Sequence, residues 1–249
     1  MWWAGSKAHD VYLGTRAVAV CLGDEVVLGP KAVEGLPAGL AVLSSWLAEA
    51  GSRCRLRVWL SGGLCRPFIA PAVPGVKTRA EVRQVAESIA AQRTGLTGEC
   101  HVWLDHGKLH EACVAVAVHR ASLQQLQDCV GPKPYQHRII SIRPWWSEVL
   151  RTQLRRHAEI PAMAVQDCDS LTVLAGAGQS FEMATTLAPV TDCETADAAL
   201  ARILLSAGVE AQVSVTRLAT AAALSRRPES SSSNSELNSA LASLTEWSA

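Results

Sequence analysis

Residues Asp169 to Leu187 read DSLTVLAGAGQSFEMATTL. Leu171 to Leu174 and Ser180 to Leu187 are β-rich, and Ala175-Gly176-Ala177-Gly178-Gln179 between them supplies the small residues of a short connection. The stretch predicts a β-hairpin. Immediately before it stands Asp167-Cys168-Asp169-Ser170, with two carboxylates in turn-forming company. Downstream, the spacing predicts a helix from about Glu194 to Ala207 and a strand from Ala211 to Val215. Strands followed by a helix and a further strand indicate an α/β unit.

The first half follows the same order. Val11 to Leu22 and Glu25 to Leu28 are apolar, β-branched stretches parted by Gly23-Asp24, a two-residue turn signal, with Leu13-Gly14-Thr15 lying between apolar segments. Leu36, Leu40, Leu43 and Leu47 recur at helical spacing in Leu36 to Ala50, which stops at Gly51, and Arg55 to Leu60 alternates as a strand. Pro67, Pro71 and Pro74 then read as a connecting loop. Thr78 is the expected N-cap of a helix, with Glu81 at the capping-box position and the end near Gly95. Strands are expected at Cys100 to Leu104 and Glu111 to Val118, and a helix at Arg120 to Val130. Beyond the break Gly131-Pro132-Lys133-Pro134 come a strand, Arg138 to Ile142, and an amphipathic helix opening at Pro144. The expected division is therefore a first lobe at 1–134, a second at 135–224 and a tail from 225. The tail opens with the serine-rich RRPESSSSNS, read as a flexible linker, and ends with Leu237, Leu241, Leu244 and Trp247 on one face of a short helix.

Composition bounds the function. The 249 residues are 49% hydrophobic and 18% charged, which excludes disorder throughout, and no apolar run approaches the roughly 18 to 20 residues of a membrane span. Lys plus Arg (23) balances Asp plus Glu (23), so no global field favours nucleic acid. The N-terminus lacks the pattern of a secretory signal, and the eight cysteines are scattered without a C-x-x-C pair. The expectation is a cytoplasmic protein with reduced, mostly buried thiols, Cys21 and Cys113 among them, and no metal site. His101, His106, His110 and His119 lack the fixed spacing of metal ligands. Ser61-Gly62-Gly63 is not the G-x-S-x-G turn of a nucleophilic serine, and Asp105 with Glu111 reads as turn chemistry.

The paired features Leu13-Gly14-Thr15 and Asp167-Cys168-Asp169-Ser170 resemble the actin-like ATPase superfamily, to which sugar kinases also belong. Each of its two related lobes starts with a strand-turn-strand of the form Asp-x-Gly-[Thr/Ser] that holds nucleotide phosphates. The resemblance implies a two-lobed α/β fold of the ribonuclease H-like kind, with mixed sheets flanked by helices. It also implies nucleotide contacts at Gly14, Thr15, Asp167 and Ser170, with ATP and Mg²⁺ as the ligands. Tyr12 replaces the first Asp of the pattern, and Asp169 replaces the Gly of the second loop, putting a carboxylate where phosphate would approach. The expectation is a degenerate site with no catalytic residue and no resident cofactor.

Within that superfamily Val58 to Pro71 (VWLSGGLCRPFIAP), Ile140 to Leu150 (ISIRPWWSEVL) and Asp169 to Leu187 are similar to the actin-like proteins of bacterial envelope machines. These are the PilM protein of type IV pili and the cytoplasmic part of the type II secretion protein GspL. GspL would continue into a membrane helix and a periplasmic domain, so the soluble PilM-like case is expected. The resemblance implies a non-catalytic scaffold that binds an inner-membrane platform protein of a pilus or secretion machine, with Leu237, Leu241, Leu244 and Trp247 as partner contacts. Arg138 to His157 is basic and aromatic, so Arg143, Trp145, Trp146, Arg151 and Arg155 are candidates for contact with the inner-membrane surface or another anion. Packing of the tryptophans beneath a solvated basic face is the other reading. Two function classes stay open beside the scaffold: a nucleotide-dependent switch or ATPase, and a membrane or nucleic-acid adaptor.

Overall fold

A computed structural model describes residues 8–23, 25–50, 53–105, 111–131, 137–156, 162–177, 180–190, 193–206 and 214–217. The first unit opens with β1 (His9–Leu13), β2 (Ala17–Leu22) and β3 (Glu25–Ala32), followed by α1 (Gly35–Glu49) and β4 (Cys54–Leu60). β1 and β2 pair antiparallel, as do β2 and β3, whereas β4 returns parallel to β1. A second unit repeats this plan with β9 (Ala162–Gln166), β10 (Leu171–Ala177), β11 (Ser180–Leu187), α5 (Cys193–Ser206) and β12 (Ser214–Arg217). There β9, β10 and β11 are antiparallel and β12 lies parallel to β9. Both sheets thus have a first strand flanked by an antiparallel hairpin on one side and a parallel strand after a helix on the other.

Between β4 and β8 (His137–Pro144) the chain forms β5 (Cys65–Ala70), α2 (Arg79–Thr94), β6 (Cys100–Leu104), β7 (Cys113–His119) and α3 (Arg120–Val130). These three strands make their own sheet, in the order β5-β7-β6, and β8 then joins the far edge of the first sheet, whose order is β3-β2-β1-β4-β8. Although β8 follows the Gly131 to Pro134 break, it pairs parallel with β4, so the first sheet reaches Pro144. The chain passes to the second sheet through α4 (Trp145–Arg156).

Local chemistry explains the elements that match expectation. Thr78 Oγ1 accepts from Glu81 N–H, Glu81 Oε2 accepts from Lys77 N–H, and α2 ends on Gly95 at φ 67°, a left-handed position that glycine adopts without strain. Leu36, Leu40, Leu43 and Leu47 form the buried stripe of α1. They join one apolar core with Val11, Leu13, Leu56 and Leu126, and this core continues into Met163, Val165 and Leu174 of the second unit. Burying each such side chain contributes about 1.5 to 3 kcal/mol.

Four expectations are corrected. The apolar stretch Val11 to Leu22, read with its turn signal only at Gly23-Asp24, holds two strands, because the chain already reverses at Gly14, whose N–H donates to Ala17 O at 2.8 Å. Pro67 lies in strand β5 rather than in a loop. β5 is a sheet edge, where a residue without an N–H is tolerated. Pro144 closes β8, and α4 starts one residue later. Cys21 is buried, but Cys113, at the start of β7, is only half-buried. Seven cysteines, Cys193 aside, are free thiols. The expected linker and helix with Leu237, Leu241, Leu244 and Trp247 lie outside the described residues.

Candidate functional site: two turns latched by buried carboxylates

The first turns of the two units face each other. In the second unit the turn between β9 and β10 is built by Asp167, whose Oδ1 accepts from Ser170 N–H at 2.9 Å, Ser170 Oγ at 2.6 Å and Asp169 N–H at 3.2 Å. Asp167 N–H in turn donates to Ser170 O at 2.9 Å. An aspartate that satisfies the following backbone in this way favours a tight turn in Asp167-Cys168-Asp169-Ser170.

That turn projects Asp169 toward the first unit. Asp169 is fully buried, and its Oδ2 accepts from Thr15 N–H, from Thr15 Oγ1 at 2.7 Å and from Ser61 Oγ at 2.9 Å. Asp167 reaches across as well, its Oδ2 accepting from Gly62 N–H at 2.8 Å. Two carboxylates of one turn therefore bind the β1–β2 turn and the turn after β4. The approach is close enough to require glycine. A Cβ on Gly62 would stand 2.5 Å from both Ser170 Oγ and Thr172 Oγ1, and one on Gly63 would stand 2.8 Å from Asp169 Oδ1.

Burial sets the electrostatics of this cluster. Desolvation and the nearby charge of Asp169 push the Asp167 carboxyl up to about 8, although bonds from Ser170 and Gly62 favour its ionised form. Burial also pushes the Cys168 thiol up to about 11 and holds Cys65 and the Tyr12 phenol well above their ordinary values. Arg66 is half-buried and its guanidinium lies in the field of Asp169, but its Nη1 donates to Thr94 O at 2.8 Å. Asp169 Oδ1 meets no protein donor among the described residues.

The structure thus brings together Gly14, Thr15, Asp167 and Ser170, the nucleotide candidates of the sequence. It adds Ser61 and Gly62, which sequence reasoning had not placed in a site, and makes Asp169, read as the replaced glycine of the second loop, the acceptor for the opposite turn. The visible signal for the first two was a Ser-Gly-Gly run directly after a strand. Tyr12 is buried beside the cluster. Asp10, two residues earlier on β1, is turned to other work: it accepts from Arg57 Nη2 at 2.6 Å and Trp59 Nε1 at 3.0 Å.

The basic, aromatic segment divides. Trp145 and Trp146 are buried. Trp145 packs edge-on against Tyr12 and Trp59, with ring centroids 6.3 and 5.9 Å apart, and Trp146 joins the main core. A buried ring has no surface to offer a bilayer, so the two tryptophans are corrected from membrane contacts to packing residues. Arg143 and Arg155 are exposed, while Arg151 pairs with the buried Glu148 one turn before it. His101 stands 3.5 Å from Glu87, and His106 and His110 lie outside the described residues. Among the described residues no group of three or more His, Cys, Asp or Glu side chains is placed to hold a metal ion, and no helix is long and apolar enough to cross a membrane.

No protein-family model matches the chain, and no curated protein matches it. Solved structures do. The cytoplasmic domain of EpsL, an inner-membrane component of the type II secretion system of Vibrio cholerae, is 16% identical over 86% of this chain and 83% of its own, with a TM-score of 0.47. A PilM-PilN type IV pilus biogenesis complex is 15% identical over 82% of this chain and 67% of the other, with a TM-score of 0.46. A Bacteroides thetaiotaomicron protein of unknown function with an actin-like ATPase fold superposes over 97% of this chain and 89% of its own, at 10% identity and a TM-score of 0.55. With the duplicated strand order and the two facing turns, that likeness establishes the architecture: the chain has the actin-like ATPase fold.

Proposed function

We propose that the chain is a cytoplasmic, non-catalytic scaffold of a type IV pilus or type II secretion assembly, acting by protein binding at the inner-membrane platform. The observation that carries the non-catalytic part is Asp169. In an actin-like fold the first turns of the two lobes present donors to nucleotide phosphates. Here the donors Thr15 N–H, Thr15 Oγ1 and Ser61 Oγ are engaged by the Asp169 carboxylate, and Gly62 N–H by Asp167. A phosphate entering between the turns would have to displace two buried carboxylates and lie against negative charge. The part concerning the machine rests on the sequence similarity of Val58–Pro71, Ile140–Leu150 and Asp169–Leu187 to PilM and GspL.

Calorimetric titration with ATP and Mg²⁺, run beside a thermal shift, tests this reading. The expected result is no heat of binding and no stabilisation at millimolar ATP, because a ligand that binds the native state must raise its stability by mass action. Micromolar affinity would instead place the nucleotide-dependent switch first, with Gly14, Thr15, Asp167 and Ser170 around the phosphates after the carboxylates withdraw.

The handle for the platform protein is the C-terminal segment, whose apolar positions Leu237, Leu241, Leu244 and Trp247 repeat at helical spacing. Leu241→Asp with Trp247→Asp is expected to leave the fold intact, as circular dichroism would read it, and to remove inner-membrane platform proteins from a pull-down read by mass spectrometry. Undiminished capture of the same proteins by the double variant would remove the segment from the partner interface.

A further inference from the structure

Among the described residues the first sheet and the small sheet each end in an outer strand that lines a common groove with α3. β8 is the outer strand of one sheet and β6 the outer strand of the other. Between them runs an open groove of about 390 Å³, lined by His101 and Trp103 of β6, Leu123 and Gln127 of α3, and Ile139 to Ile142 of β8. Its lining mixes apolar and polar side chains: Trp103, Leu123, Ile139 and Ile142 are partly buried, Ile140 is 36% exposed, and Gln127 is exposed beside them. Outer strand edges beside exposed apolar side chains are a surface that a second segment tends to cover.

We infer that this groove is the docking site of the chain's own C-terminal segment, Leu237 to Trp247. The inference rests on the reading of that segment as the partner handle, and it says where the handle sits when no partner holds it. Three observations converge on this occupant. The segment carries Leu237, Leu241, Leu244 and Trp247 at the spacing of one helix face, an apolar stripe that needs an apolar counterpart. Its charge is complementary: residues 228–249 hold Glu229, Glu236 and Glu246 and no Lys or Arg, while β8 displays the exposed Arg138 and Arg143 beside the groove. Its tether is long enough. The linker read from the sequence runs from Ser225 to Glu236, and a flexible serine-rich chain of that length spans about 19 Å on average and roughly 40 Å at full stretch, against a radius of gyration of about 18 Å for a compact chain of this size.

Tethering makes a weak contact sufficient. A short flexible link sets an effective concentration on the order of millimolar, so a segment with an intrinsic dissociation constant of about 100 μM would occupy the groove roughly ten to one. A partner at the membrane then has to compete with the groove for the same apolar face.

Hydrogen–deuterium exchange on the full-length protein, read on peptides covering β6 and β8, tests the inference. Leu241→Asp with Trp247→Asp should speed exchange there about tenfold relative to the unaltered chain. A synthetic Ser235–Ala249 peptide, added to that double variant, should restore the protection, and should fail to do so when Ile140→Glu is also present. Ile140 lies on an exposed edge, and circular dichroism verifies that this variant folds. Equal exchange in the unaltered chain and the double variant overturns the inference. So does protection that grows with protein concentration alongside a dimer, since the occupant would then be a second copy. Loss of groove docking with platform capture still dependent on Leu241 and Trp247 would sink this inference alone, whereas groove docking with capture unaffected would sink the handle reading.

Discussion

Asp169→Ala is expected to cost about 3 to 5 kcal/mol of folding stability, a fall of roughly 10 °C in melting temperature for a chain of this length. The carboxylate is the shared acceptor of Thr15 N–H, Thr15 Oγ1 and Ser61 Oγ, and nothing on alanine replaces it. Ser61 is fully buried, so its hydroxyl loses this partner where water has no access. One effect opposes the loss. Removing the charge of Asp169 relieves the neighbour that raises Asp167, so part of the penalty returns as an easier ionisation there. Asp169→Asn separates the two contributions, because its amide oxygen still accepts from the Thr15 and Ser61 donors while the charge is gone. Thermal melts of the three proteins at one pH decide the matter: a melting temperature for Asp169→Ala within a degree or two of the parent would mean that the two turns do not depend on this contact.

Stability should also fall as the pH rises from about 4 to about 8, opposite to the usual rescue of a protein from acid. Asp167 stands at about 8 in the folded chain against 3.8 for a free aspartate, so across that interval the native state keeps a proton that the unfolded chain has released. A state that binds more protons is favoured at low pH. The contribution is complete below about pH 4, declines through the interval and is gone above about pH 8, at about 1.4 kcal/mol for each unit of difference between the two states. Cys168, at about 11, adds a loss of the same sign at more alkaline pH. Asp167→Asn removes the titration and keeps an oxygen for Ser170, but sets its amide nitrogen where Gly62 N–H needs an acceptor. The variant should therefore start below the parent near pH 5 and show a flatter profile between pH 5 and pH 8. Parallel melting curves for the two proteins over this range would show that Asp167 is ionised in the folded state.

Much of this architecture can be read from local sequence, and the exceptions have physical causes. Helix α2 is marked at its ends by chemistry that acts within a few residues, as Thr78, Glu81 and Gly95 show. The hairpin of β10 and β11 is similarly local. β5 escapes because Pro67 argues against a strand until it is known that the strand lies at an edge, which is a property of the whole sheet. β9 is a fully buried run, and without alternation its sequence does not distinguish a strand from a helix segment. Tryptophans beside arginines suit a membrane surface and a packed helix equally well, and only the position of Tyr12 and Trp59 decides between them. The site divides in the same way. Gly14, Thr15, Asp167 and Ser170 are recognisable as two turns. That Asp169 would serve as the acceptor for the opposite turn depends on a contact across 154 positions, which no local pattern encodes.

The insertion of the small sheet between β4 and β8 has a consequence for how the chain assembles. β4 and β8 are neighbours in the first sheet, yet everything from Ser61 to Gln136 must be laid down between them. Closing so long a loop before its contents are ordered is entropically expensive, whereas β6, β7 and the helix that follows are close in sequence and can form first. Once that excursion has folded, its ends are held near each other and β8 can add to β4 over a much shorter effective loop. The order of events during synthesis follows: the first sheet stays incomplete at its β8 edge until the excursion has left the ribosome and collapsed. Only then can the second unit bring Asp167 and Asp169 to the turns that await them.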